Sequence, residues 1–422
     1  MTVTVVPEFT QADLTDPVVH AEQDLRPLWR RLRRHHPVAH HPTPDGRGFW
    51  VVTPHQLVEE VCVSSERFTS VRGNTLGTLL AGGDPAGGGM LAVSDGPRHR
   101  VVHRELMRAF TAQALAPYRE RIVSRIDHLV RTAVAKGQVD FARDVARPIP
   151  MAAVCDMLGV PEKDREALYA DASHTLASET PVTDDLSTRL ARQQILLYFA
   201  RLVRSLRGEP GDDLLGLLVR MTDSEIALTG DEVLYNCYSL LLGGEETTRY
   251  TMSGTIQALA DHPEQWQRLV RGEVGLDTAV EELLRWTTAP MHVGRTAARD
   301  TELGGVRIAE GDIVTAWISA ANDDETQFGD PRRLDLGRTP NRHLAFLRGP
   351  HTCPGARLVR IEMTALLRAL ITHADGWEIT GKGVPVYSTF MRGLSSLPVR
   401  FVPRDGPRPR HPRHPDDVER SA

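Results

Sequence analysis

The chain has 422 residues, 41% hydrophobic and 25% charged, and 55 acidic against 50 basic side chains leave a formal charge of −5. That balance is ordinary for a globular protein and excludes a nucleic-acid binder built on basic runs. No apolar run reaches the roughly 18–20 residues of a membrane span, and MTVTVVPEFTQADLTDP has no basic segment leading into an apolar one, so a cytoplasmic protein without membrane attachment is expected. Residues 24–36 predict a basic surface helix, 48–53 a strand and 55–63 a short helix. The glycine-rich stretch 70–92 reads as a long mobile loop. From 97 to about 220 the pattern is mostly helical, with an exposed connection at 173–185. An apolar pattern runs from Asp231 to Asp261, interrupted at Gly243-Gly244 and ended by His262-Pro263. A helix near 277–287 follows, then short strands, an irregular polar stretch at 321–345, and a helix from Pro354 to about His373. A terminal hairpin precedes the Pro-, Arg- and His-rich tail 405–422, which is expected to be disordered. The pattern predicts a mainly α fold with a minor β region, in one domain over 1–404.

Four cysteines are present. Cys62, Cys155 and Cys237 sit in apolar helical patterns and read as small buried hydrophobes. No C-x-x-C motif occurs, and a reducing cytosol argues against disulfides. Cys353 is different, because it lies in the turn GPHTCPGA. Pro354 suits the first position of a helix, which would make Cys353 its N-cap. A thiolate there faces the positive end of the helix dipole and is stabilised as an anion. Gly349 permits a tight turn before it, and Gly355 leaves room for a close ligand.

The string FLRGPHTCPG at 346–355 resembles the haem-binding loop of cytochromes P450, F-G-x-G-x-H-x-C-x-G. Phe346, Gly349, His351, Cys353 and Gly355 match, and Leu347 departs from the usual first glycine. Further segments in family order extend the resemblance over most of the chain. Glu282 and Arg285 match E-x-x-R, a spacing that sets both charges on one helical face. Arg333 is the expected third member of that ion pair. Gly243-Gly244-Glu245-Glu246-Thr247 resembles the oxygen-activation segment of the long distal helix. There the two glycines imply close approach to a flat cofactor and an opening for oxygen. Glu246 then delivers protons, and the Thr247 hydroxyl holds water beside the oxygen site. Arg295 and His343 match haem-propionate contacts, the arginine through a charge-assisted pair. SDGPRHRVVHR at 94–104 resembles D-P-P-E-H-x-x-x-R, with His99 as the histidine and His103 in place of the arginine.

The resemblance implies the P450 fold, haem b held through Cys353 between the long distal helix and the cysteine loop, and O2 as co-substrate. It implies a monooxygenase acting on a small, largely apolar substrate, with secondary-metabolite biosynthesis as the expected setting. The pocket walls would be the loop 73–92, Tyr238, Ser239, Leu242 and Gly243 on the distal helix, the segment Pro290, Met291, His292 and Val293, and Phe390-Met391. GGDPAGGG at 82–89 lacks the strand–turn–helix frame of a dinucleotide loop, so no flavin or nicotinamide is expected on this chain. Electrons would come from a ferredoxin and its reductase, docking on Arg104, Arg342, Arg348, Arg357 and Arg360. A substrate delivered on a carrier protein stays open. So do two other readings: oxidative coupling or another oxidation without oxygen insertion, and a non-catalytic haem-binding recruitment protein.

Overall fold

The computed structural model describes residues 6, 9, 12–172, 185–206 and 209–404. The tail 405–422 and most of the connection 173–185 lie outside the described residues. Two architectures share the work. Long helices enclose the largest apolar cluster, and a five-stranded sheet closes one edge.

The sheet runs in the order Val38–His41, Phe49–Val52, Ile313–Ala316, Val293–Ala297, Phe68–Thr69. Its Phe49–Val52 and Ile313–Ala316 strands are parallel and the other neighbours antiparallel. Every residue of Val293–Ala297 is buried, as expected of an inner strand covered on both faces. The expected terminal hairpin is divided between two sheets. Val384–Pro385 pairs with Leu394–Ser396, while Pro398–Pro403 joins Gln138–Asp140 and Ala374–Ile379.

The helix Gly230–Asp261 is the central element. Thr229 and Glu232 form a reciprocal capping box at its start, which satisfies two otherwise orphaned amides. It runs unbroken through Gly243-Gly244, so the glycines that interrupt the apolar pattern lie within one long helix, as the distal-helix reading expects. Two glycines cost about 1 kcal/mol each in helix propensity, and packing on both flanks overrides that. It lies against the helices Pro148–Met157 and Asp185–Ser205, and Ala356–His373 packs on Ala112–Lys136.

The glycine-rich stretch is more ordered than its composition suggests. It contains a helix at Leu76–Leu80 capped by Thr75, and Ala86 and Met90 are buried. The basic helix Arg26–His35 buries Leu28, Trp29 and Leu32 on one face. Cys62, Cys155 and Cys237 are buried as expected; burial pushes Cys62 up to about 11 and Cys155 to about 12, and raises Cys237 further.

Candidate active site

The cysteine loop is shaped by two residues in left-handed backbone. Leu347 has φ +57° and Gly349 φ +74°. Leu347 therefore keeps the conformation that glycine adopts freely, at roughly 1–2 kcal/mol of steric cost for an L-residue. At Gly349 a side chain has no room, because a Cβ would sit 2.8 Å from Val63 Cα. The Cys353 amide donates to the Phe346 carbonyl at 2.9 Å and closes the loop.

Cys353 is not the N-cap of the following helix. The helix begins at Ala356 with Gly355 as its cap, and Cys353–Ala356 forms a turn in which the Ala356 amide reaches the Cys353 carbonyl at 3.4 Å. Pro354 pre-sets its own φ but does not start the helix. The turn instead aims the amides of Gly355 and Ala356 at Sγ. Burial raises the thiol above its ordinary value, and these amides and Arg360 oppose that rise without cancelling it. A Cβ built on Gly355 would lie 3.8 Å from the sulfur, an ordinary contact.

Beside the loop lies a basic cluster. His99 and His351 rings are 4.4 Å apart, and His99 and His103 are 5.6 Å apart. His351 Nε2 meets Asp95 at 2.9 Å and Ser70 Oγ at 3.2 Å. Burial would raise Asp95, but bonds from His351, Thr69 and Ser70 hold its carboxyl below the usual range. His99 is buried with both ring nitrogens unpartnered; burial and the neighbouring His351 and His103 push it down to about 4. Arg295 is also buried. Among the described residues its guanidinium donates to the Gly294 carbonyl at 2.7 Å and meets no carboxylate within 4 Å. A buried arginine without an anion, and a buried histidine with two free nitrogens, both grouped around His351 and Asp95, suit an acidic group that the protein does not supply.

Two expected propionate contacts are otherwise engaged. His343 bonds Glu281 through Nε2 at 3.2 Å and accepts the Ala345 amide through Nδ1 at 3.2 Å, so no ring nitrogen is left for a ligand. Glu281 also takes Arg360 at 2.6 and 2.9 Å; burial opposes its ionisation, but these bonds outweigh it and bring the carboxyl to about 2. His103 Nε2 faces the Thr352 carbonyl at 2.8 Å and steadies the cysteine loop instead.

Across from the loop, the helix Gly230–Asp261 presents Ser239, Gly243 and Thr247 on one face at intervals of four. Ser239 and Thr247 are half-buried and Gly243 is exposed, whereas Leu242, Glu246 and Thr248 beside them are buried. Nothing lies within 4 Å of a Cβ built on Gly243, so that face borders open space. Gly244 does something else. Its Cβ would come within 3.0 Å of Val154 Cγ2, so it permits close helix packing and not approach to a cofactor. Thr247 Oγ1 donates back to the Gly243 carbonyl at 3.1 Å. Glu246 is wholly buried and pairs with Arg249 at 3.2 Å; burial pushes its carboxyl up to about 8.

The E-x-x-R pair forms as expected. Arg285 donates twice to Glu282, both at 2.8 Å, and both side chains are buried. The third member is Arg338, not Arg333. Arg338 Nε lies 3.1 Å from each Glu282 oxygen, and Asn341 and the Asp335 amide add bonds at 3.0 and 3.1 Å. Arg333 contributes only its backbone carbonyl, which accepts from Arg338 at 2.9 Å. The irregular chain between the two arginines folds back on itself, and spacing alone did not reveal which one returns to the helix.

Several expected pocket walls are packed away. His292 is wholly buried, and its Nε2 accepts the Leu76 amide at 3.0 Å, pinning the glycine-rich segment to the sheet. Met291 lies in the apolar cluster with Trp317 and Leu76, Val293 in the sheet's own cluster, and Met391 against Tyr250 and Ala289. Leu242 is buried in the main core. Tyr238, Ser239, Pro290 and Phe390 keep partial exposure, Tyr238 packing against the cluster of Ala86, Met90 and Val93.

The chain is 41% identical to cytochrome P450 NovI of Streptomyces niveus over 396 residues, covering 94% of this chain and 97% of that one. It belongs to the cytochrome P450 family. The family model for cytochrome P450 matches residues 275–385, which hold the Glu282 helix and the cysteine loop. Linalool 8-monooxygenase of Pseudomonas putida is 30% identical over 93% of this chain and 99% of its own. The crystal structure of P450 OxyD, involved in the biosynthesis of vancomycin-type antibiotics, superposes with a TM-score of 0.83 at 34% identity, covering 93% of this chain and all of that one.

The protein is thus a cytochrome P450 monooxygenase, whose cofactor is haem with a thiolate ligand and whose co-substrate is O2. The residues present fit that cofactor: a thiol with converging amides, unanswered basic groups beside it, and an open helix face opposite. Among the described residues no helix is long and apolar enough to cross a membrane. Sequence reading missed Asp95, which organises the basic cluster, and Arg338. It also passed over Arg249, although its spacing from Glu245 and Glu246 places all three on one helical face.

Proposed function

We propose that this P450 inserts one oxygen atom from O2 into a small, largely apolar organic substrate in secondary-metabolite biosynthesis. Cys353 is the thiolate ligand, and its placement carries the reading: a half-buried cysteine in a closed loop, its sulfur faced by two backbone amides. A haem bound there supplies redox iron whose thiolate ligand donates electron density that favours O–O cleavage. Arg295, His99 and His351 hold its propionates. Glu246 holds a proton near the oxygen site, and the Thr247 hydroxyl orders water there. Gly243 keeps the helix face clear.

The setting in secondary metabolism is supported by the likeness to OxyD, which is involved in the biosynthesis of vancomycin-type antibiotics. Electrons arrive from a ferredoxin and its reductase. Arg104, Arg342, Arg348 and Arg357 are exposed around the cysteine loop and suit an acidic partner, while the Arg360 charge is already paired with Glu281.

The test is the absorption spectrum of the dithionite-reduced, carbon-monoxide-treated protein beside Cys353→Ala. A strongly red-shifted Soret band in the wild type that vanishes in the variant supports the assignment. The same band in both proteins overturns Cys353 as the ligand.

A further inference from the structure

On the helix Gly230–Asp261, two carboxylates and one guanidinium are sealed from water. Arg249 Nη1 lies 3.3 Å from Glu245 and Nη2 lies 3.2 Å from Glu246, and Nη2 also donates to the Tyr250 hydroxyl at 2.7 Å. Glu245, Glu246 and Tyr250 are buried, and Arg249 nearly so. Neither Glu245 oxygen has a well-formed hydrogen bond, and Glu246 Oε2 has none. With both carboxyls ionised the group would carry a net negative charge with three oxygens lacking donors. Buried groups in that position take up a proton instead.

We propose that Glu245 and Glu246 hold one proton between them, clamped on Arg249, and that Glu245 thereby keeps Glu246 in its acid form. Glu245 is a positioning residue, since it acts through Glu246 by occupying half of the one guanidinium that would otherwise fix Glu246 as an anion.

The surrounding groups support this division. Arg147, at the start of the helix Pro148–Met157, attracts Glu245 from a distance while its guanidinium stacks on the Tyr169 ring at 3.8 Å. The Tyr169 hydroxyl is buried and unpartnered, with Glu166 beyond it, and the Cys155 thiol is neutral. Among the described residues Arg249 is the single cation within 4 Å of either carboxyl, and Arg147 attracts Glu245 but not Glu246, so the negative charge settles on Glu245 and the proton on Glu246. Burial is the main cause that raises both carboxyls, and Glu245 adds to it at Glu246. Such a pair titrates as a unit.

Use of the proton rests on the role given to Glu246 above, but the sharing itself is measurable without turnover. The probe is the infrared C=O stretch of protonated carboxyls in the ferric holoenzyme. It is recorded in a Glu362→Gln background, because Glu362 is another buried carboxyl pushed up to about 8. One deuterium-sensitive band is expected near neutral pH. It should be lost in Glu245→Gln and equally in Glu246→Gln, since either remaining carboxylate then pairs with Arg249 alone, and it should be kept in Glu245→Asp. A band that survives in either glutamine variant, or is missing from the parent, overturns the proposal. A band that behaves as expected, together with a Glu246→Gln enzyme that retains full oxygen-insertion activity, leaves the sharing standing and removes only the proton-donor role.

Discussion

Replacing Arg338 with alanine tests how the core behind the cysteine loop is locked. Arg338 gives two contacts to Glu282 at 3.1 Å, one bond to the Gly329 carbonyl at 2.7 Å, and bonds to the Asp330 and Arg333 carbonyls at 3.1 and 2.9 Å. Its side chain is only 11% exposed, and the Glu282 side chain is wholly buried. Removing it leaves a buried carboxylate with one cation fewer and frees the chain from 329 to 338. Breaking a buried charge pair in this way costs about 3–5 kcal/mol. Arg285 remains on Glu282, which places the expected loss near the lower end, at about 3 kcal/mol. Arg333→Ala removes an exposed side chain and should stay within about 0.5 kcal/mol of wild type. Urea unfolding followed by tryptophan fluorescence measures both, with unchanged slopes as the control for a common unfolded state. If Arg333→Ala were as damaging as Arg338→Ala, or if Arg338→Ala were silent, the ion-pair assignment would fall.

Glu362 is wholly buried, and burial alone pushes it from 4.5 up to about 8. The folded state therefore prefers the protonated acid: its contribution is complete below pH 4.5, declines as pH rises, and is lost above about 8. The full span corresponds to roughly 5 kcal/mol, and Glu362→Gln should flatten this part of the stability–pH curve. A curve of unchanged slope in the variant would show that Glu362 is not the group responsible. Gly243→Ala places a methyl in open space and should stabilise the helix by roughly 0.5–1 kcal/mol while slowing carbon monoxide binding. Gly244→Ala meets Val154 at 3.0 Å and should destabilise by about 1–3 kcal/mol, so thermal unfolding that ranked the two the other way would reverse their roles. Gly349→Ala forces a Cβ against Val63 backbone at φ +74°, and haem transfer to apomyoglobin should be markedly faster than from wild type. Equal transfer rates would mean that the loop tolerates the displacement.

Local order along the chain made much of this protein legible before its fold was known. Helix periodicity, the stop at His262-Pro263, the E-x-x-R spacing and the Gly/Pro/His setting of Cys353 are short-range features, and each is present in the structure where expected. The start of the last helix was placed two residues early, because Pro354 permits a helix but cannot show that a turn precedes it. Glycine content misled at 70–92, where it suggested a mobile loop although Leu76–Leu80 is helical.

What depended on distant parts of the chain was decided only by folding. Arg338 and Arg333 are equivalent by composition, and the path of the polar stretch alone brings Arg338 to Glu282. His343 matched a ligand contact by order, yet Glu281 lies close enough to take its ring nitrogen. His292 looked like a pocket wall until the Leu76 amide was found on it, 216 residues away in sequence. Asp95 gains its meaning from His351, 256 residues on. Residue types and near spacing fix what a side chain can do, whereas its partner is set by burial, where every polar group must find a mate among whatever the fold brings within about 3 Å.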